Sequence, residues 1–309
     1  MSDSLLAVLN LQLSSGVGEK TFRHIIETAR VEGIALDEIM AMSEDLLVQT
    51  FGLKPDLAEE IAAPKAQLDD LASQIAEFGA QALVFGQPPY PSALEQRLGA
   101  QAPPLLFAWG ALDLLDQPTL GVSGARNASE LSVQAVYDLA GEAARDGIVV
   151  VSGYAGGVDS AAHLGAVEAG GRTIAVLPLG ILNFQSRASL RPHFSSDNSL
   201  VLSQFPPRLG WHAHNAMARN GAICALSNAI LLVEPGKSGG TMETGREALR
   251  HGMPLFLAAP GGTPRGDGAP YFLQRGARPV ASPQTEEFRA LVQACRANST
   301  PRAEQGAFF

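Results

Sequence analysis

The stretch Gly147-Ile-Val-Val-Val-Ser-Gly-Tyr-Ala-Gly-Gly-Val-Asp-Ser-Ala-Ala-His163 decides the fold. It opens on a short apolar run whose β-branched residues suit a strand. Small residues follow, and from Val158 the apolar positions continue at helical spacing. A strand apolar on both faces, turning through small residues into a helix, is the unit of a parallel sheet covered on both sides. The same unit recurs outward from it. Further apolar runs lie at Thr119-Leu-Gly-Val122, Thr173–Leu177, Leu200-Val-Leu202, Ala229–Val233 and Pro254–Ala258. Helical patterns near 129–145, 158–169, 213–226 and 239–251 separate them. The expectation is an α/β fold: a Rossmann-like doubly wound parallel sheet over residues 118–285.

Before this core, residues 1–78 read as a small all-helical domain of SAM or helix-hairpin-helix type. Leu5, Leu6, Val8 and Leu9 begin an apolar face, Ser15-Gly-Val-Gly18 interrupts it, and Phe22, Ile25, Ile26 and Ala29 resume it. The backbone amides of such a hairpin suit a DNA phosphate, and a plain helix–helix connector explains the glycines equally well. Residues 79–117, rich in proline, read as an extended connector packed on the core, with one short strand at Ala82–Phe85. Residues 286–309 read as a C-terminal helix and a frayed tail.

Composition narrows the function classes. The chain has 309 residues, 46% hydrophobic and 17% charged, with net charge −9. No apolar run nears the roughly 18 residues of a membrane span, and no secretory signal opens the chain. A cytoplasmic protein is expected. The two cysteines, Cys224 and Cys295, lack metal-ligand spacing, so neither a disulfide scaffold nor a structural zinc site is expected; no cofactor and no metal are expected elsewhere. The excess acidity lies in residues 1–70, with five Lys and Arg against thirteen Asp and Glu. By contrast Arg172, Arg187, Arg191, Arg208 and Arg219 are opposed over their span only by Asp197.

In an open parallel sheet, ligands bind at the carboxyl ends of the strands, where helix N-termini present free N–H groups. Three segments there are small and polar. Ser123-Gly124-Ala125-Arg126-Asn127-Ala128-Ser129 offers a glycine turn, a guanidinium and an N-cap serine. The dinucleotide fingerprint is absent. Ser152-Gly153-Tyr154-Ala155-Gly156-Gly157 precedes Asp159 and His163, four apart on one helix face, which read as orienting groups rather than catalysts. Glu234-Pro-Gly-Lys237-Ser238-Gly239-Gly240-Thr-Met-Glu-Thr244 contains Gly-Lys-Ser, but Leu231 stands where a P-loop requires glycine. What remains is an anion site at a helix start.

Taken together, these pieces resemble the DprA/Smf family of DNA-processing proteins. The resemblance also takes in Tyr90-Pro91, Pro103-Pro104-Leu-Leu106, Gly170–Gly180, Ser203–Pro207 and Ala218–Glu234. It implies a non-enzymatic, homodimeric protein that binds single-stranded DNA and assists loading of a RecA-type recombinase. By position it matches Gly124, Arg126 and Ser129, Ser152, Gly153, Asp159 and His163, Arg219 and Asn220, and Ser238, Gly239 and Thr244 to the family's phosphate-contacting loops. The reading of the residues themselves adds Gly156, Lys237 and Gly240 to the phosphate seat and Arg172 as a candidate groove cation. Two family arginines are missing: Gly156 stands in a usual Ala-Arg-Gly, and Gly221 ends a usual Arg-Asn-Arg. The alternative is a nucleotide sensor or phosphoribohydrolase-like enzyme acting on a nucleoside monophosphate, with Glu243 near the ribose. Tyr154, Phe184 and Trp211 are the candidates for base stacking.

Overall fold

The computed structural model describes residues 3–297. Six helices open it: α1 (Asp3–Leu13), α2 (Glu19–Glu32), α3 (Leu36–Met40), α4 (Glu44–Phe51), α5 (Pro55–Ala62) and α6 (Leu68–Phe78). α2, α4 and α6 stop at left-handed Gly33, Gly52 and Gly79, the ordinary glycine termination. Ile25, Leu47, Ile61 and Ile75 of these helices belong to a core that runs on to Phe107, Leu177 and Val201 of the sheet. The helical module is therefore seated on the sheet through shared apolar surface. Arg208 reinforces the seam by bonding Asp70 and, at 3.1 Å, Gln74.

Then follow β1 (Ala80–Val84), α7 (Ser92–Leu98), β2 (Leu105–Gly110), β3 (Thr119–Gly124), α8 (Glu130–Arg145), β4 (Val149–Gly153), α9 (Val158–Glu168), β5 (Thr173–Leu177) and β6 (Ser199–Ser203). The chain continues through α10 (Ala213–Ala218), α11 (Asn220–Ala225), β7 (Ala229–Val233), α12 (Gly240–Arg250), β8 (Leu255–Ala258), α13 (Ala269–Leu273), β9 (Arg278–Val280) and α14 (Glu286–Ala297). All strands form one sheet in the order β1-β2-β6-β5-β4-β3-β7-β8-β9. From β6 to β9 every neighbouring pair is parallel, while β2 pairs antiparallel with both β1 and β6.

The winding reverses at β3. The chain moves through β4, β5 and β6 on one side of it and through β7, β8 and β9 on the other. The doubly wound expectation holds, and the switch point lies beside β3. On one face, α8, α9 and α14 cover Leu120, Val122, Val150 and Leu231, next to the helical module. On the other, α7 and α11 cover Val151, Ile174 and Leu202, and α12 and α13 cover Ile230, Leu232 and Leu257.

Three expectations need correction. The segment 79–117 is not a connector with a single strand: β1 and β2 extend the sheet at one edge. Pro103 and Pro104 stand just ahead of β2, where a missing N–H does no harm, so Leu105–Trp109 pair freely. The helix expected over 213–226 is broken at Arg219 into α10 and α11. β9 has only three residues, one of them proline, and offered no apolar run to detect. The tail expected to fray, beyond Ala297, lies outside the described residues.

Candidate functional site

The site is built from the ends of β3, β4, β5 and β7. After β3, Arg126 reaches solvent with its guanidinium 5.5 Å from the Trp211 ring, a cation–π distance. Ser129 caps α8 by accepting the Ser132 N–H at 3.3 Å. The same N-terminus already holds an anion. Glu234, at the end of β7, accepts the Ser129 N–H at 3.1 Å, the Ser132 hydroxyl at 2.7 Å and the Ser129 hydroxyl. Glu234 does so from a left-handed backbone, φ 47°, uncommon for a residue with a side chain. Burial alone would raise its carboxyl pKa, but the hydrogen bonds from Ser129 and Ser132 prevail and hold it below the ordinary range.

After β4, two glycines are required by close approach. A Cβ on Gly153 would stand 1.6 Å from the Arg219 guanidinium. A Cβ on Gly157, whose φ is +72°, would stand 2.3 Å from the Arg126 carbonyl oxygen. Arg219 fills the space that Gly153 leaves. It is 5% exposed, donates to Val176 O at 3.2 Å and faces Asp159 across 3.6 Å. Burial works against its charge and Asp159 favours it. Asp159 also accepts the Ala155 N–H at 3.2 Å, closing the loop onto α9. His163 is fully buried, with Nε2 2.6 Å from Gly153 O and Nδ1 2.7 Å from the Thr173 hydroxyl. A carbonyl only accepts, so Nε2 carries a proton, and burial lowers the ring's pKa. Asp159 and His163 thus hold the loop in place, as orienting groups would.

After β7 the chain is open. Lys237, Ser238 and Gly239 are exposed, and Gly239, φ 96°, starts α12 with no side-chain cap. Among the described residues no carboxylate bonds the first amides of α12. Thr244 is buried; its hydroxyl donates to Gly240 O at 3.0 Å and lies 3.3 Å from that of Ser123. Asn220 leans on the same carbonyl at 3.4 Å.

Gly124, Arg126, Asp159, Arg219, Asn220, Glu234, Ser238 and Gly240 line one cleft of about 460 Å³. The glycine-bearing turns therefore do gather on a single rim, and Arg126 and Arg219 share it. Their roles differ: Arg126 faces outward, whereas Arg219 is a buried strut. Ser152, also buried, donates its hydroxyl to Val122 O at 2.8 Å and ties β4 to β3. Arg172 is not brought to the rim. It precedes β5, at the opposite edge of the sheet, and pairs with Asp113 at 3.1 Å. Glu234 went unrecognised as the group that fills the α8 terminus; an acid directly after a buried strand was the available signal. The N-terminal hairpin repeats the theme, since Glu60 accepts the Ser15 N–H at 3.2 Å. Glu243 pairs with Arg246 at 2.7 Å in a separate pocket beside Tyr271, away from the rim.

The molecule is a Rossmann-like α/β domain whose switch-point rim presents an uncapped helix N-terminus beside exposed Arg126 and Lys237. The chain itself belongs to the family described as DNA recombination-mediator protein A, whose model matches residues 81–289. It is 35% identical over 186 residues to DNA processing protein DprA of Streptococcus pneumoniae, an alignment that covers 59% of this chain and 65% of that one. The chain thus spans just under two thirds of that relative's length. The solved structure of DNA processing protein A from the same species superposes with TM-score 0.74 at 25% identity, covering 97% of this chain and 99% of that one. DNA processing protein A of Helicobacter pylori, described for its single-stranded DNA binding mode, superposes with TM-score 0.59 at 25% identity, covering 73% and 99%.

Proposed function

We propose that the protein binds the phosphodiester backbone of single-stranded DNA along this rim and, as a cytoplasmic homodimer, assists a RecA-type recombinase to occupy the strand. One observation carries the reading: the α12 N-terminus is uncapped and shares its cleft with exposed Arg126, while Lys237 stands on the approach to it. Family membership supports it, and so does the binding mode attributed to the Helicobacter pylori protein.

Gly124, Gly153 and Gly156 shape the turns, and Ser238, Gly239 and Gly240 offer the phosphate its N–H and hydroxyl donors. Arg126 and Lys237 supply charge. Ser129, Ser152, Arg219, Asn220 and Thr244 serve by holding that geometry. Each helix-terminus contribution is about 0.3–1 kcal/mol, so affinity needs the cations as well, and backbone contacts of this kind read little sequence. The nucleoside-monophosphate alternative finds no support at Glu243, which faces Arg246.

The test is fluorescence polarisation of labelled oligonucleotides across salt. Affinity is expected to fall with a log–log slope of about −0.7 per phosphate engaged, and Arg126→Ala to flatten it by about one such increment. No binding at low salt, or an unaltered slope in Arg126→Ala, would reject the reading.

A further inference from the structure

The helical module carries a cleft of its own, of about 590 Å³. Ser15, Gly16, Lys20 and Thr21 line one side of it, and Gly52 and Lys54, between α4 and α5, line the other. Two contacts set its width. His24 Nε2 lies 2.8 Å from Phe51 O, which ties α2 to the end of α4. A Cβ on Gly16, whose φ is +86°, would stand 3.4 Å from Leu57 Cδ1, so the first turn rests on α5.

Lys20 and Lys54 are both exposed. Residues 1–70 hold five Lys and Arg against thirteen Asp and Glu. In such surroundings a cation finds a carboxylate readily: Arg23 faces Glu27 at 3.8 Å, and Lys65 pairs with Glu60 at 3.0 Å. The two lysines of the cleft do not. Among the described residues neither ammonium has an ion-pair partner, although Asp56 lies on the same cleft. The Ser15 amide is taken by Glu60, so the cleft offers side chains: two ammonium groups with the hydroxyls of Ser15 and Thr21. Ammonium groups that share a cleft and lack an internal anion match successive phosphates of a polyanion.

The cleft's place in the fold identifies that polyanion. β2 runs antiparallel to β6, with Phe107 opposite Ser203, so the residues just before β2 lie at the carboxyl end of β6. Phe85, directly after β1, lies at the same end, because Val84 faces Leu105. Arg23, one turn beyond Lys20, donates to Ala102 O and stands 3.9 Å from the centre of the Phe85 ring. The start of α2 is therefore held at the end of the sheet that carries the rim, beside the β1–β2 edge. From β3 to β1 there are five strand steps, or about 24 Å at about 4.8 Å each.

We propose that the Lys20–Lys54 cleft is a second phosphodiester seat, which takes the same strand after it leaves the rim and extends its footprint onto the helical module. The inference rests on the single-stranded DNA reading above and adds a site outside the Rossmann-like domain.

The test is the salt dependence of binding to an oligothymidylate of about 30 nucleotides, longer than the site sizes of single-strand binders and able to span both seats. The unmodified protein is compared with Lys20→Gln plus Lys54→Gln, with Arg126→Ala, and with Arg145→Gln plus Arg172→Gln. The last pair removes the same charge from cations that already have carboxylate partners. The double lysine variant should flatten the log–log slope by about 1.4, two phosphates at about 0.7 each, and weaken low-salt binding about tenfold. The double arginine variant should leave the slope unchanged. An unaltered slope in the double lysine variant, with Arg126→Ala still flattening it, overturns the second seat and leaves the rim intact. Equal flattening in the double arginine variant also overturns it, because net charge then accounts for the effect. Failure of the unmodified protein to bind the strand overturns the backbone reading, and the second seat with it.

Discussion

Two helices of the sheet, α8 and α12, begin in nearly the same way, each after a buried parallel strand and a turn rich in small residues. At α8 the free amides and the serine hydroxyls converge on Glu234. At α12 a left-handed glycine starts the helix and no side chain caps it. The dipole favours an anion at both ends, so what separates a structural terminus from a binding one is whether the protein brings its own carboxylate. The Ser15–Gly18 hairpin falls on the α8 side of that division, because Glu60 takes its amide.

The comparison is sharpened most severely at the strut between the two termini. Asp159→Ala leaves the Arg219 guanidinium buried without its counter-charge, and the expected loss is about 3–5 kcal/mol, read from urea unfolding. A loss under about 1 kcal/mol, the scale of an exposed ion pair, would mean that the pair is solvated. Next comes the conversion of α12 into a copy of α8. Ser238→Asp places a carboxylate where phosphate is expected, and should weaken oligonucleotide binding about tenfold, or about 1.4 kcal/mol, with the melting temperature retained.

The reverse conversion acts on stability. Glu234→Gln removes a charge-assisted acceptor and should cost about 1 kcal/mol at pH 7, reduced by the solvent contact of a half-buried group. The folded-state pKa of Glu234 lies below its unfolded value. Its stabilisation is therefore present above the unfolded pKa, about 4.3, and lost as pH falls through the folded one. The gap between native and variant should narrow from pH 7 to pH 3. Last, a Cβ at Gly156 meets nothing within 4 Å, so Gly156→Arg adds a cation to the rim without strain. It should steepen the salt slope by about 0.7 and raise low-salt affinity a few-fold.

The central sheet was legible because β3 to β8 are buried on both faces and read as unbroken apolar runs. At the edge, β1 was legible as the short strand near Ala82–Phe85, but β2 was not, because prolines beside it mimic a loop and because its antiparallel return to β6 leaves no local mark. The rim was legible as a set of small-residue turns at the right strand ends, yet the division of labour within it was hidden. Arg219 in an Arg-Asn sequence reads as a DNA cation. Only its meeting with Gly153, a residue from a distant part of the chain, shows it to be a strut. Likewise the acid directly after a buried strand marks Glu234 as unusual, but only packing between β7 and α8 reveals that Ser129 and Ser132 surround it. Local sequence places a turn on the rim; packing between strands decides which charges face outward.

The interlock of Gly153 with Arg219 makes these two positions a single unit of change. One added methyl at 153 displaces a cation, and that cation also steadies the end of β5 and the first turn of α9. A lineage or an engineer altering either residue must alter both at once, and a lone change at either would register together in thermal melting and in oligonucleotide titration.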